Sequence, residues 1–216
     1  MIARRLGEVQ ERVRRAAERA GRDPASIALV AVSKGQPADA VREAHAAGQR
    51  LFGENYVQEL RAKASALSDL ADLRWHFIGH LQRNKAKDVA GVVSCVETVG
   101  SERLAEALAR HAPGPLDVLV QVNVAGEAQK SGCAPAELDA IAERVRRCPP
   151  LLLRGLMTVP PFEGDPRPHF RALAALSRAR GLPELSMGMS GDLETAIEEG
   201  ATIVRVGTAI FGARTV

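Results

Sequence analysis

Lys34 is the residue of this sequence whose type and position most clearly suggest chemistry. The chain contains five lysines, and only Lys34 follows a fully apolar run, residues 27–32, at its end. Alternation along a strand places its side chain on the same face as Val30 and Val32. Burial there disfavours the ammonium form and leaves a nucleophilic amine, which a carbonyl-condensing lysine requires. Position alone leaves a second interpretation open, a lysine that caps the strand and reaches solvent.

Two loops late in the sequence are suited to binding a phosphate group. One runs from Gly188 through Ser190 to Asp192 and precedes a helical pattern, and the other begins at Gly207 and Thr208. Small residues let backbone amides approach an anion, and a helix N-terminus adds unpaired N–H groups. The alternative is ordinary helix capping by Ser190 and Asp192. Because both loops offer the same kind of donor, we favour a phosphate site.

Arg205 is the third residue that suggests ligand binding. It lies in the last apolar run of the sequence and shares a strand face with Ile203 and Gly207. An arginine that points inward needs a hydrogen-bond acceptor. Two interpretations follow: an ion pair with a neighbouring carboxylate such as Glu54, or donation to a ring nitrogen or phosphate of a ligand.

The sequence shows no pattern typical of a metal site or of a Ser-His-Asp triad. His76 and His80 are four residues apart, but in a strand this spacing separates them by roughly 13 Å. Cys95, Cys133 and Cys148 have no CxxC or metal-ligand spacing, and the nucleophile motif G-x-S-x-G is absent. We therefore predict no metal and assign no catalytic residue.

These residues follow short apolar runs that alternate with helical patterns along the chain. The predicted strands are residues 27–32, 50–52, 75–78, 92–96, 117–124, 151–157, 184–187 and 202–206. The predicted helices are residues 2–20, 37–48, 56–70, 82–90, 101–111, 135–147, 167–180 and 191–199.

Apolar strands that alternate with helices are typical of a parallel sheet covered on both faces. Eight such units predict an α/β fold, a single parallel (β/α)8 TIM barrel with an extra N-terminal helix, as one domain over residues 1–216. An open doubly wound sheet is the alternative, but no G-x-G-x-x-G follows the first strand. The active site of a barrel lies at the C-terminal ends of the strands, and phosphate often binds after strands seven and eight.

Composition narrows the core, the partners and the compartment. With 46% apolar but only 3% aromatic residues, the core must be aliphatic. A net charge of +3, spread over helical segments with few aromatics, gives little support for a nucleic-acid surface. The apolar runs are far shorter than the roughly 20 residues of a membrane span, and no apolar signal core follows Met1. We expect a cytoplasmic protein that binds neither nucleic acid nor membrane.

Seven strings of residues, in order along almost the whole chain, are typical of one family. They are AVSK (31–34), FGENYVQE (52–59), WHFIGHLQRNK (75–85), QVN (121–123), RGLM (154–157), LSMGMS (185–190) and VRVGTAIFG (204–212). The sequence thereby resembles the pyridoxal phosphate homeostasis protein family, whose members are similar to the N-terminal barrel of alanine racemase.

The resemblance implies a cofactor, pyridoxal 5′-phosphate (PLP), a form of vitamin B6. Lys34 would hold it as a Schiff base, Arg205 would donate to the pyridine nitrogen, and the phosphate would lie on Ser190, Gly207 and Thr208. The full implied set of cofactor-binding residues is Lys34, Asn55, Met189, Ser190, Arg205, Gly207 and Thr208.

The resemblance also implies further neighbours of the cofactor and shows one departure. His80, Asn123 and Met157 are the further neighbours. Gly35 and Gln36 stand where many relatives have a Thr-Lys-like pair. This departure keeps the Schiff-base lysine but removes a nearby cation, which would alter how the cofactor is handed over.

We expect a PLP-binding protein that captures, buffers and delivers the cofactor for intracellular homeostasis, without substantial catalysis. Arginine does not give up its proton, so a pyridine nitrogen facing Arg205 stays unprotonated and the ring is a poor electron sink. The alternatives are an amino-acid racemase of low activity and a Schiff-base aldolase acting on a sugar phosphate.

The racemase alternative needs a second base on the opposite face of the substrate. Alanine racemase takes that base from an additional domain and a partner subunit, and we expect both to be absent because the sequence ends at Val216. The only tyrosine, Tyr56, lies on the second helix of the alternating pattern. The same expectation predicts a monomer, with PLP-dependent apoenzymes as the partners that receive the cofactor.

Overall fold

The fold is a closed barrel of parallel strands. The computed structural model describes residues 1–127 and 129–213, and within them eight strands pair in sequential order, with the last strand beside the first. The strands are β1 (Ala28–Val32), β2 (Leu51–Glu54), β3 (Arg74–Phe77), β4 (Cys95–Val99), β5 (Leu116–Gln121), β6 (Leu151–Met157), β7 (Glu184–Ser186) and β8 (Ile203–Val206). The predicted (β/α)8 barrel is confirmed, and closure excludes the open doubly wound sheet.

Helices surround the barrel and follow its strands. They are α1 (Ile2–Arg19), α2 (Ala38–Ala46), α3 (Val57–Ala66), α4 (Ala86–Val89), α5 (Glu102–His111), α6 (Leu138–Arg146), α7 (Arg167–Arg178), α8 (Leu193–Glu198) and α9 (Thr208–Phe211). The extra N-terminal helix is α1, which packs against α8 and α9. Its apolar residues recur at helical spacing, so one face is buried: Leu6, Val9, Val13, Ala16 and Ala17.

The core has two parts, and both are mainly aliphatic. The larger part lies between the barrel and its helices. The smaller part fills the barrel interior and consists of Val30, Val32, Cys95, Leu119, Met157 and Ile203. Val30 and Val32 therefore point inward, as the alternation along β1 predicts.

The predicted boundaries differ from the structure mainly at β4 and β5. The strand predicted at 92–96 is found at Cys95–Val99, because Val92 and Val93 belong to the turn that ends α4. The strand continues through Glu97, a buried carboxylate that an apolar pattern does not reveal. The strand predicted to reach residue 124 ends at Gln121, and Val122 after it forms an isolated bridge with Cys133.

Two further expectations concern the chain as a whole. None of the helices described is long and apolar enough to cross a membrane. The single domain over residues 1–216 stays a prediction, and residues 128 and 214–216 lie outside the described part of the chain.

Candidate functional site

Closure of the barrel brings Lys34 beside the loop that follows β8. In the pairing of β1 with β8, Val30 lies opposite Arg205. Beyond this pair, Gly207 approaches Val32 so closely that a Cβ at Gly207 would lie 3.1 Å from the Val32 carbonyl oxygen. The amide groups at the start of α9 therefore lie next to the strand end that carries Lys34.

The two predicted phosphate loops also contact each other. The Ser190 hydroxyl accepts a hydrogen bond from the Ala209 backbone N–H at 3.5 Å. Asp192 precedes α8 but makes no capping bond to it; its carboxylate accepts from the Met189 N–H at 2.6 Å. Neither Ser190 nor Asp192 thus caps α8, so the capping alternative does not explain the loop.

Helix α1 holds the Ser190 loop from outside the barrel. Arg12 donates to the Ser190 carbonyl at 3.0 Å and to both carboxylate oxygens of Glu194 on α8, at 2.7 and 2.9 Å. Gly188 precedes this loop at φ +92°, and a Cβ there would lie 2.5 Å from the Cβ of Ala196. The extra N-terminal helix thereby fixes the backbone of a predicted phosphate loop.

Arg205 lies inside the barrel and is held by a polar network. It donates to the Ser186 hydroxyl and, at 2.8 Å, to the Thr158 carbonyl. Ser186 in turn donates to Glu97, whose other oxygen lies 2.6 Å from Nδ1 of His76. All of these side chains are buried. Sequence reasoning missed Glu97 and Ser186, because their strands are too short for an inward polar face to be recognised.

The suggested pairing of Arg205 with Glu54 is wrong. Glu97 is the carboxylate beside Arg205, at 3.8 Å, whereas Glu54 accepts from Lys63 at 2.6 Å. Residues 52 and 54 of β2 alternate with Gly53, which faces the interior against Val30. Glu54 therefore points out of the barrel, toward the helices.

Burial and pairing act in opposite directions on the network. Burial alone disfavours the charge on Glu97, but the hydrogen bond from His76, the charges of His76 and Arg205, and the Ser186 hydroxyl lower its pKa below the usual range. Burial lowers the pKa of Arg205, and the charges of Glu97 and Asp192 oppose this shift. Since arginine stays protonated in proteins, the interior holds a cation with a carboxylate close by.

A second cluster of polar side chains holds the residues on both sides of Lys34. Lys63 on α3 donates to the Ser33 carbonyl at 2.7 Å, to Glu54 at 2.6 Å and to Glu59 at 2.9 Å. The Ser33 hydroxyl donates to Glu54 at 2.6 Å, and the Gly35 N–H donates to Glu59 at 2.8 Å. We call Ser33, Glu54, Glu59 and Lys63 the Lys63 cluster. It attaches the backbone around Lys34 to α3.

Charge within the Lys63 cluster is only partly balanced. Burial raises the pKa of Glu54, although the hydrogen bonds from Lys63 and Ser33 oppose this shift. One oxygen of Glu54, Oε2, is buried and has no hydrogen-bond partner in the described part of the chain. Glu59 and Lys63 lie one helical turn apart, so the sequence does indicate their pairing. It does not indicate the contact of Lys63 with Ser33.

The remaining predicted residues line the barrel mouth. Asn55 borders a cavity of about 260 Å³ together with His80, and its buried Oδ1 has no partner among the residues described. Met189 is 37% exposed at the rim, and Thr208 is exposed. An unpaired buried oxygen beside a cavity is a group that a ligand can satisfy.

The three further neighbours lie in different surroundings. Met157 is buried inside the barrel. His80 lies with Nδ1 3.1 Å from the Ser131 hydroxyl, and the Asn123 side chain donates to the Glu127 carbonyl at 2.8 Å. Asn123 is therefore occupied within its own loop, while His80 borders the cavity.

Comparison with known proteins places the chain in a family. The model of the alanine racemase N-terminal domain matches residues 5–215. A pyridoxal phosphate homeostasis protein of Pseudomonas aeruginosa is 52% identical over 221 residues, which cover 99% of this chain and 96% of that protein. This chain belongs to the pyridoxal phosphate homeostasis protein family. The resemblance drawn from the sequence motifs is confirmed.

Solved structures agree with this family. PipY of Synechococcus elongatus, solved with PLP bound, is 37% identical with a TM-score of 0.85, over 98% of this chain and 100% of PipY. Alanine racemase of Corynebacterium glutamicum is 20% identical with a TM-score of 0.68, over 98% of this chain and 62% of the racemase. The second likeness concerns the fold alone, so pyridoxal phosphate homeostasis proteins and racemases share this barrel.

Proposed function

We propose that this chain binds PLP and serves its homeostasis inside the cell by capturing, buffering and delivering it, without substantial catalysis. Relatives named for PLP homeostasis and the PLP-bound PipY support this function. The observation that carries it is the convergence of Lys34, the Ser190 and Gly207 loops, and Arg205 at one end of one barrel.

The residues at the barrel mouth fit the groups of PLP. The Lys34 amine would condense with the aldehyde to form a Schiff base, with loss of one water. The Ser190 hydroxyl and the amides of Gly207 and Thr208 would bind the phosphate, and the unpaired oxygen of Asn55 would face the ring. Met189 at the rim would cover it.

Arg205 argues for binding rather than catalysis. Bound PLP stabilises carbanions when its ring nitrogen is protonated. Arg205 is a donor that keeps its own proton, and the bonds to Ser186 and Thr158 fix its guanidinium in the barrel interior. A ring nitrogen that accepts from this group remains unprotonated. The same proposal includes the assignment of each group of PLP to its residues, a cytoplasmic location, a monomeric state and transfer to PLP-dependent apoenzymes.

Absorbance and reductive trapping test the function. We expect purified protein to be yellow, to bleach with borohydride, and to carry one pyridoxyl adduct on Lys34 by peptide mass spectrometry. Lys34→Ala should lose the adduct, whereas Lys87→Ala, which removes an exposed lysine on α4, should keep it. An adduct at another lysine, or none, would contradict the proposal. A colourless protein that acts on a sugar phosphate would favour the aldolase alternative.

Racemase activity is the other alternative to test. We expect no conversion of L- to D-alanine above the rate of free PLP, since Arg205 leaves the ring a poor electron sink. Chiral chromatography after incubation with the loaded protein measures this. Conversion that Lys34→Ala abolishes would establish the racemase alternative instead.

A further inference from the structure

A larger cavity lies beside the proposed PLP site and is not explained by it. Its volume is about 810 Å³, within the range of roughly 300–1,000 Å³ that is typical of small-molecule sites. It is bordered by the segments that follow β3, β4 and β5, and we call it the β3–β5 cavity. It shares His80, Gln121 and Ser131 with the smaller cavity beside Asn55. A molecule in it would lie next to the cofactor.

The lining of the β3–β5 cavity combines polar side chains with Leu81 and Leu104, and none of the described residues that line it carries a carboxylate. Arg83 is its exposed cation, and its other polar side chains are neutral or imidazole groups: His80, Gln82, Asn84, Thr98, Ser101, Gln121 and Ser131. Glu102, at the start of α5, is turned to Arg144 at 3.0 Å. The charge of Arg83 is thus not cancelled within the cavity, which favours an anion.

The N-terminus of α5 opens onto this cavity. Ser101 caps the helix by accepting from the Leu104 N–H at 3.2 Å. The N–H groups of Glu102 and Arg103 have no acceptor among the described residues. Helix α5 has ten residues, so its first turn provides oriented donors and the positive end of a helix dipole.

Gln121 is an independent observation that points to a ligand. It ends β5, is only 7% exposed, and borders both cavities. Its side-chain amide makes no hydrogen bond to any residue that the structure describes. A mostly buried side chain whose amide lies in a cavity wall without a protein partner is suited to a bound molecule.

We propose that the β3–β5 cavity binds the carboxylate or phosphate group of a small molecule beside the cofactor. Arg83 and the α5 amides would bind the anionic oxygens, and Gln121 would bond a polar atom deeper in the cavity. The site is separate from the Ser190 and Gly207 loops, so it would be occupied together with the cofactor. The HLQRNK segment, residues 80–85, would then supply a ligand site rather than only a connection.

Backbone amide NMR of the borohydride-reduced holoprotein tests this site. Reduction removes the reactive imine and keeps the phosphate loops filled, so inorganic phosphate or acetate added afterwards reports on other sites. We expect saturable shifts of the Glu102 and Arg103 amides. Saturation by phosphate alone would assign a phosphorylated ligand, and saturation by acetate alone a carboxylate ligand.

Two variants and one control separate this site from general ion binding. Arg83→Gln should lower the affinity for the added phosphate or acetate about tenfold, because it removes a charge-assisted hydrogen bond. Gln121→Leu removes the amide from the cavity wall and leaves the charge unchanged. It should lower the affinity for a carboxylate or phosphate compound that also bonds this amide. Arg110→Gln, which removes an exposed charge from the other end of α5, should change affinity less than twofold.

The result can be read independently of the PLP proposal. The same titration can be done on Lys34→Ala protein without cofactor. There too, Arg83→Gln should lower the affinity for the anion. Absence of saturable shifts with both anions, or equal affinities of Arg83→Gln, Arg110→Gln and the unchanged protein, would overturn the proposed site.

Discussion

Arg205 is held in position by other groups of the protein. Ser186, the Thr158 carbonyl and the carboxylate of Glu97 surround its guanidinium, and His76 orients Glu97. Such a network has two physical effects: it pairs a buried cation, and it restricts the directions in which that cation can donate. The residue that we expect to set the protonation of the PLP ring thus depends on a buried carboxylate 3.8 Å away, that of Glu97.

Glu97→Gln tests this network. At pH 7 we expect it to lower the free energy of unfolding by about 3 kcal/mol, since it removes the charge beside buried Arg205. Because the folded-state pKa of Glu97 lies below 4.5, its stabilisation is fully present above pH 4.5 and disappears as the pH falls through that lower pKa. The gap between Glu97→Gln and the unchanged protein should therefore narrow in acid.

Urea unfolding from pH 7 downward measures this gap. Glu143→Gln is the control, because Glu143 forms a surface pair with Arg147 that should contribute little. A Glu97→Gln protein as stable as the unchanged protein at pH 7 would show that Arg205 does not need the charge.

At the scale of elements, α3 and α1 position the site from outside the barrel. The Lys63 cluster joins α3 to the residues flanking Lys34. Arg12 of α1 contacts the Ser190 loop in the same manner. Both helices contact loop backbone rather than ligand. Their side chains should therefore strengthen binding by lowering the entropic cost of ordering these loops when the ligand binds.

Lys63→Met tests the contribution of α3. It leaves Ser33 and Gly35 with fewer restraints and Glu54 without its cation, so we expect PLP affinity to fall about tenfold while Lys34 still forms the adduct. Spectroscopic titration measures the affinity, and Lys87→Met is the matched control on an exposed lysine. Equal affinities in both variants would show that the Lys63 cluster serves the fold alone.

At the scale of the whole molecule, cofactor binding is coupled to the stability of the barrel. The proposed binding groups lie on or follow β1, β2, β7 and β8, and the pairing of β1 with β8 closes the barrel, so only the folded chain presents them together. A ligand that binds only the folded state at 100 times its Kd stabilises that state by about 2.7 kcal/mol. Cofactor bound at the proposed site would therefore also stabilise the contact between the first and last strands.

A thermal melt measures this coupling. At saturating PLP we expect the Tm to rise by about 5–10 °C, from about 2–4 °C per kcal/mol for a chain of this size. Lys34→Ala should show a smaller rise, because only the noncovalent contacts remain. A Tm that does not respond to PLP would show that PLP does not bind the folded chain in preference to the unfolded chain.

The barrel and the convergence of its loops could be predicted from the sequence. The buried polar contacts that hold Arg205 and the loop backbone could not. Apolar runs alternating with helical patterns determine a parallel barrel, and closure then brings Lys34 next to Gly207 without further information. The partner of Arg205 was predicted wrongly because β2 and β4 each carry a buried glutamate, and periodicity over four or five residues does not tell which one faces inward. The Lys63 cluster joins residues from three elements, and spacing along the chain does not encode such contacts.

The pairing of β1 with β8 also has a consequence for synthesis of the protein. A nascent chain emerges with Lys34 long before Arg205 and Gly207, so the pocket cannot form until β8 has left the ribosome. Contacts between such distant segments form late, since the intervening chain must first be ordered. Capture of the vitamin would accordingly require β8, and translation products that stop before this strand would not sequester it.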